Sequence, residues 1–293
     1  GIVKESRLEY FADVGQRVRD GNAEKRLKRF KIFDEEGYAD FIDEKISQSN
    51  KTVSVYTANI LAKKAGFKGV SDRTLYNWVD LGLLKTTKSD LPLTVRRKNK
   101  RKEKEQKRFY GDSIELRPES ANNREELGHF EGDSIIGAGH KGQIITLVER
   151  KTRIGFMFKF EEKRARNILY VKKALQKRFG EDFCRIFKSI TFDNGGEFAY
   201  NESISGKDRK HPEKKGDIQV YYAHAYSSWE RGSNENFNGI VRRYIPKKKN
   251  FCELTQNDIR RINEQINAIP RKLLNGKSAQ EMFDEQVAAL RKE

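Results

Sequence analysis

No stretch of the 293-residue chain approaches the roughly 18 consecutive apolar residues that span a bilayer. The polar start GIVKESRLEY has neither the basic nor the apolar region of a signal peptide. A soluble cytoplasmic protein with no membrane partner is therefore expected. Cysteine is nearly absent: Cys184 and Cys252 alone cannot build a disulfide framework, which excludes a secreted scaffold. Acidic charge is in deficit, with 43 Asp and Glu against 60 Lys and Arg, a net charge of +17. A polyanion is the first partner that balance implies. Hydrophobic residues, at 36%, are somewhat sparse but sufficient for a core, so wholesale disorder is excluded. The length suits one large domain or two ordinary ones, and two are expected. The chain opens on Gly rather than Met, so preceding residues or a removed tag are expected.

The first ninety residues read as helical, rich in Lys, Arg, Glu, Asp and Ala, with Phe30, Phe33, Phe41 and Ile42 as a small core. From Thr52, Ile60, Leu61 and Ala65 follow helical spacing towards a Gly66 to Gly69 turn, and Ser71 is placed as an N-cap. The next helix turns Leu75, Trp78 and Val79 inward and Arg73, Thr74 and Asn77 outward, the layout of a helix-turn-helix. An ordinary helical hairpin fits the same letters; the positive charge favours the DNA-binding version. Residues 96–108, RRKNKRKEKEQKR, hold nine basic and two acidic residues and nothing apolar. They read as a linker, either lying along phosphates through Arg96, Arg97, Lys98, Lys100 and Arg101 or merely solvated.

After Asn122 the pattern turns to strands: HFEGDSII, GQIITLVER and IGFMFKF as a meander, then a helix from Ala165 with Ile168, Val171, Leu175 and Phe179 on one stripe. The strands KSITFD and DIQVYYA follow, so a mixed sheet is expected before the helices SNENFNGIVRRYI, LTQNDIRRINEQINAI and a closing one near SAQEMFDEQ. Three carboxylates stand out on this map. Asp133 lies within the first strand, Asp193 ends the fourth at the turn NGG, and Glu235 opens a later helix. Carboxylates at strand ends serve as ligands of Mg²⁺ or Mn²⁺, or as structural caps. A two-ion site performs phosphoryl transfer. Glu235, Asn238 and Arg242 share one helix face, opposite the stripe Phe237, Ile240, Val241 and Tyr244, a combination suited to holding metal and phosphate together or simply to a solvated surface. Glu131, two residues from Asp133, would share its face; Glu197 could cap the turn; Glu230 is the second choice for the third ligand.

FEGDSI, then TFDNGGEFA, then AYSSWERGSNENFNGIVRRYIPK, and the tail PRKLLNGKSAQEMF, resemble, in this order, blocks of the insertion-sequence transposases of the IS-thirty type. The resemblance spans roughly residues 50 to 285. It implies an α/β fold: an RNase H-like mixed-sheet catalytic domain at about 123–293, preceded by a basic linker at 93–122 and an α-helical domain at 1–92 with its helix-turn-helix at about 53–84. It implies an Asp-Asp-Glu triad at Asp133, Asp193 and Glu235 binding two Mg²⁺ or Mn²⁺ ions. The implied chemistry is 3′-end cleavage at a transposon's terminal inverted repeats, then attack of the 3′-hydroxyl on target DNA, by way of a circular intermediate. The implied partner is double-stranded DNA, bound by a homo-oligomer, nucleoid-associated in a bacterium. Arg73, Thr74, Tyr76 and Asn77 match the family's second helix-turn-helix; an earlier one is not found.

Departures are few. The interval from Asp193 to Glu235, 42 positions, is longer than usual, with ESISGKDRKHPEKKGD as a surface insertion. Ser228 stands where Pro is common, and Glu230 replaces a usual Gln. A retroviral-type integrase would carry a paired His and Cys zinc module upstream, which His129, His140, His211 and His224 with two lone Cys do not supply. A DNA-binding regulator that has lost its chemistry is the alternative, against which the three carboxylates argue. Of the aromatic cluster Tyr221, Tyr222, Tyr226 and Trp229, most is expected in the core, with Trp229 near the active edge. Lys247, Lys248 and Lys249 follow phosphates or are simply solvated.

Overall fold

The computed structural model describes residues 16–17, 35–92, 111–199, 201–206, 218–224 and 227–292. Its helical unit begins with α1 (Tyr38–Ser47), α2 (Val55–Lys64) and α3 (Asp72–Asp80). Ser54 and Ser71 cap α2 and α3, each hydroxyl accepting the backbone N–H three residues on, from Thr57 and Thr74 at 3.2 Å. Tyr38, Ile42 and Ile46 of α1 meet Val55, Ala58, Ala62, Leu75, Trp78 and Val79 in one core. The inward face of α2 therefore differs from the Ile60, Leu61 and Ala65 stripe expected: Ile60 and Leu61 are half-buried and Ala65 is exposed. The reason is a second neighbour, since Ile60 lies beside Gly276 of the C-terminal segment. A buried amide, Asn59, ties the unit together, accepting from Tyr38 Oη and donating to Val70 O, both at 2.7 Å. The turn between α2 and α3, residues 65–71, is longer than the three or four residues of a minimal helix-turn-helix. Phe30 and Phe33 lie outside the described residues.

The remainder is built on a six-stranded sheet: β1 (Asp112–Ser113), β2 (His129–Ile136), β3 (Gln143–Glu149), β4 (Gly155–Phe160), β5 (Ser189–Phe192) and β6 (Gln219–Tyr222), in the order β1-β6-β5-β2-β3-β4. β2, β3 and β4 form the antiparallel meander, while β5 and β6 join parallel to β2. This is the RNase H-like mixed sheet. β1 comes from the end of the stretch read as linker; with α4 (Glu119–Asn122) it folds onto the sheet through a two-residue parallel pairing too short to show in an apolar pattern.

Layers cover both faces. On one, Phe130, Leu147, Phe156, Ile190 and Phe192 pack with α5 (Asn167–Phe179) and α6 (Phe183–Ile186). α7 (Asn201–Ser205) joins them through Ile204. On the other, Ile135, Ile144, Val148 and Met157 pack with α8 (Gly232–Tyr244) and α9 (Gln256–Asn267). α10 (Ala279–Leu290) returns to the first face with Phe283 and Val287. No helix among the described residues is long and apolar enough to cross a membrane.

Candidate active site

β2 and β5 run parallel with Glu131 opposite Thr191, so two residues further along each strand bring Asp133 and Asp193 together at the carboxyl ends of the central pair. That end of the parallel strands is where open α/β sheets bind ligands. Asp133 Oδ1 accepts Ser134 N–H at 2.8 Å, and Oδ2 accepts Asn238 Nδ2 at 2.9 Å. Asp193 Oδ1 accepts Gly195 N–H at 3.0 Å, so it does cap its turn, while its other oxygen faces the site. Between the two carboxylates lies the Arg231 guanidinium, 3.6 Å from Asp133 Oδ1 and 3.3 Å from Asp193 Oδ2. Burial pushes the Asp133 carboxyl above its ordinary range; Arg231 pulls it down, and the nearby Asp193 and Glu197 push it up again.

α8 is held along β2 by a matched pair of contacts. Glu131 Oε2 accepts Asn234 N–H at 2.9 Å in the first turn, and Asn238, one turn on, reaches Asp133, two residues on. Two strand residues advance roughly 6.6 Å and one helical turn roughly 6 Å, so the elements stay in step. The Asn234 amide also donates to Glu131 O at 2.7 Å and Thr146 O at 3.2 Å. The Thr146 hydroxyl lies 3.0 Å from Asn234 Oδ1 and 2.9 Å from Asn238 Oδ1, its single hydrogen serving one at a time. Glu131 is paired with Arg150, both buried, so it anchors the helix rather than facing the site. Close approach also depends on Gly155, where any Cβ would overlap the Phe237 ring of α8.

Glu235 stands exposed in the first turn of α8, one turn ahead of Asn238, and makes no hydrogen bond or ion pair among the described residues. No three His, Cys, Asp or Glu side chains there converge tightly enough to hold an ion as they stand. The donors nonetheless suit a hard divalent cation, being carboxylate oxygens at adjoining strand ends, and Arg231 already places positive charge between two of them. Glu197, read as a turn cap, instead reaches into the site: it accepts from Ser134 Oγ at 3.1 Å and pairs with Lys163 at 3.0 Å. Glu230 is engaged elsewhere, its carboxylate 2.8 Å from both His224 N and Nδ1, which raises the imidazole pKa.

The residues read as DNA contacts separate into groups. Arg73, Tyr76 and Asn77 are exposed on α3, while Thr74 is half-buried with its hydroxyl 2.8 Å from that of Ser71. Asn238 and Arg242, read as facing phosphate, turn donors inward because α8 lies along β2: Arg242 donates to Ile136 O at 3.1 Å and covers the Phe251 ring. Lys247 and Lys248 are exposed, whereas Lys249 pairs with Glu253 at 2.5 Å. Arg96, Arg97, Lys98, Lys100, Arg101, Tyr226 and His211 lie outside the described residues. Tyr221 and Tyr222 are buried, and Trp229 is 73% exposed on the turn that carries Arg231. Sequence reasoning missed Arg231, Lys163, Ser134 and Thr146; Arg231 lay within the quoted block WERGSNEN, where the Asn-Glu-Asn drew the attention, Ser134 within FEGDSI and Thr146 within GQIITLVER.

No family model matches the chain. It is 42% identical over 219 residues to a probable transposase for the insertion-like sequence element IS1161 of Streptococcus salivarius, covering 73% of this chain and 58% of that protein. It is 33% identical over 178 residues to the transposase InsI for insertion sequence element IS30C of Escherichia coli (strain K12), covering 61% of this chain and 43% of that protein. Among solved structures, a simian T-cell lymphotropic virus intasome in complex with a PP2A regulatory subunit aligns with a TM-score of 0.41 at 15% identity, covering 53% of each chain. The chain thus spans about half the length of the curated relatives it matches. The quoted blocks fall in order along the sheet, and over the residues matched the chain is similar to IS30-type insertion-sequence transposases.

Proposed function

We propose that this protein is the DNA strand transferase of an insertion sequence. Residues 1–92 bind the terminal inverted repeats, with Arg73, Tyr76 and Asn77 on the exposed face of α3 reading the duplex. A basic linker lies between, and the sheet domain carries the chemistry. The observation that supports this best is the meeting of Asp133 and Asp193 on the adjoining strands β2 and β5, with Asn238 of the Glu235-bearing helix hydrogen-bonded to Asp133.

Asp133, Asp193 and Glu235 would hold two Mg²⁺ or Mn²⁺ ions. These ions, when bound, supply charge for activating the attacking oxygen and stabilising the leaving one. Asn238 and the Ser134 N–H fix the orientation of the Asp133 carboxylate, and Gly195 N–H that of Asp193. In the first step water attacks the phosphorus at the element's end and the 3′-oxygen leaves, taking a proton. In the second, that 3′-hydroxyl attacks a target phosphodiester, a new P–O bond forms and the target's own 3′-oxygen leaves. The protein works as a homo-oligomer on DNA in the bacterial cytoplasm, through a circular intermediate with abutted ends.

The test is labelled duplex carrying the element's ends, incubated with wild-type protein and Mg²⁺ or Mn²⁺. Metal-dependent 3′-end cleavage and joined products are expected. Tight binding without products would replace this reading by a DNA-binding regulator.

A further inference from the structure

The charged pairs beneath and within the site are of two kinds. Arg150 and Glu131 are 6% and 0% exposed, and the remaining Arg150 donors are taken by the carbonyls of Ala121 at 2.9 Å and Asn122 at 3.2 Å. Such a pair is locked, because opening it strands a charge away from water. Arg231 is held differently. Its 3.6 Å approach to Asp133 is too long for a hydrogen bond, and its 3.3 Å approach to Asp193 is at the weak end of the range. One backbone carbonyl, Gly132 O at 3.2 Å, takes a donor, and the buried Nε has no hydrogen-bond partner. The carboxylates beside it are 28% and 38% exposed, so ions can reach them from solvent. The guanidinium offsets one of the two charges of an acidic pair while making few directional bonds to it.

The segment carrying this side chain also faces outward. Ser228–Arg231 form a single turn, and Trp229 on it is 73% exposed. A guanidinium accepts phosphate as readily as carboxylate, in the same forked geometry. A short movement of the turn would exchange one anion for the other.

We propose that Arg231 is an exchangeable counter-ion: it offsets part of the charge of Asp133 and Asp193 in the free protein and transfers to a DNA phosphate when the element's end enters, opening the carboxylates to divalent cations. DNA binding and metal binding are then coupled through one side chain, and the coupling is reciprocal. Metal binds the site more weakly until the substrate is present. This inference rests on the reading of Asp133 and Asp193 as metal ligands.

Calorimetric titration of Mn²⁺ into the full chain tests it, alone and with a pre-cleaved end duplex that has no bond left to hydrolyse. For the wild type, duplex is expected to tighten Mn²⁺ binding about ten-fold, within the usual range of such couplings. Arg231→Gln is expected to bind Mn²⁺ without DNA as tightly as the wild type does with it, and to gain less than about two-fold from duplex. Arg231→Lys, which keeps the charge but cannot span both carboxylates, is expected to fall between, and it serves if the glutamine variant misfolds. Unchanged DNA-free affinity in both variants, or a full DNA effect in Arg231→Gln, overturns the proposal. Asp193→Asn separates the two levels: if it binds Mn²⁺ as the wild type does, the metal assignment itself fails.

Discussion

Replacing Gly155 with Ala tests how closely α8 must approach the sheet. The added methyl would sit 2.8 Å from Phe237 Cδ2 and closer still to two other atoms of that ring. Phe237 is 1% exposed, between Val148, Met157 and Val241, so the ring cannot simply swing away. Overpacking of this kind costs about 1–3 kcal/mol. Phe237→Ala alone costs about 3–5 kcal/mol, through lost burial and the cavity left behind. In the double variant the methyl enters space the ring has vacated, so its cost should fall at least about 1 kcal/mol below the sum of the singles. Urea unfolding of the four proteins measures the cycle. Gly155→Ala is also expected to slow DNA cleavage, because α8 carries both Asn238 and Glu235, while DNA affinity is kept. A Gly155→Ala protein as stable as the wild type, or strictly additive costs, would refute the packing argument.

Three further outcomes follow from particular contacts. Glu131→Ala strands the buried Arg150 charge and removes the acceptor at Asn234 N–H, so a loss of about 3–5 kcal/mol is expected in urea unfolding; Glu131→Leu with Arg150→Met should recover much of it, and failure to do so would show that the pair contributes more than its mutual neutralisation. Glu281 joins the C-terminal helix to α2, and its hydrogen bond from Lys64 lowers its pKa from 4.5 to about 2. A depressed carboxyl pKa stabilises the fold above the ordinary value and loses that contribution as pH falls through the folded one. The unfolding midpoint of the wild type should therefore decline more steeply between pH 4.5 and about 2 than that of Glu281→Gln, and parallel declines would count against the contact. Arg73→Ala, measured by fluorescence anisotropy, should weaken binding to the cognate end more than to random duplex; equal losses would make Arg73 a phosphate contact only.

Much of the scaffold is readable from local letters because the two periodicities differ. IGFMFKF alternates, and β4 accordingly turns Phe156 and Phe158 to one face and Met157 to the other; Ile168, Val171 and Leu175 recur at helical spacing and are buried together on α5. Ser71 caps α3 for the reason its position implies. What could not be read depends on distant parts of the chain. The inner face of α2 is decided by two neighbours at once, one of them some two hundred residues away at Gly276. β1 exists only because β6 offers it an edge. Asn238 and Arg242 sit on the polar side of an amphipathic helix, yet both are half-buried and donate to Asp133 and to Ile136 O of β2. Asp133 was singled out within its strand and Asp193 at the end of another, whereas no spacing announces that the Arg231 guanidinium lies between them. Glu235 was singled out as the carboxylate that opens its helix and joined to the triad by the resemblance, and it stands exposed.

The most direct test is single-turnover 3′-end cleavage of labelled element ends by Asp133→Asn, Asp193→Asn and Glu235→Gln, with DNA binding followed in the same samples. The account predicts that all three bind the ends as the wild type does and that none cleaves them with Mg²⁺ or Mn²⁺, while Glu230→Gln still does. Cleavage by any of the three would remove that residue from the site, and cleavage surviving in both aspartate variants would contradict the assignment of this end of the central strands as the catalytic centre.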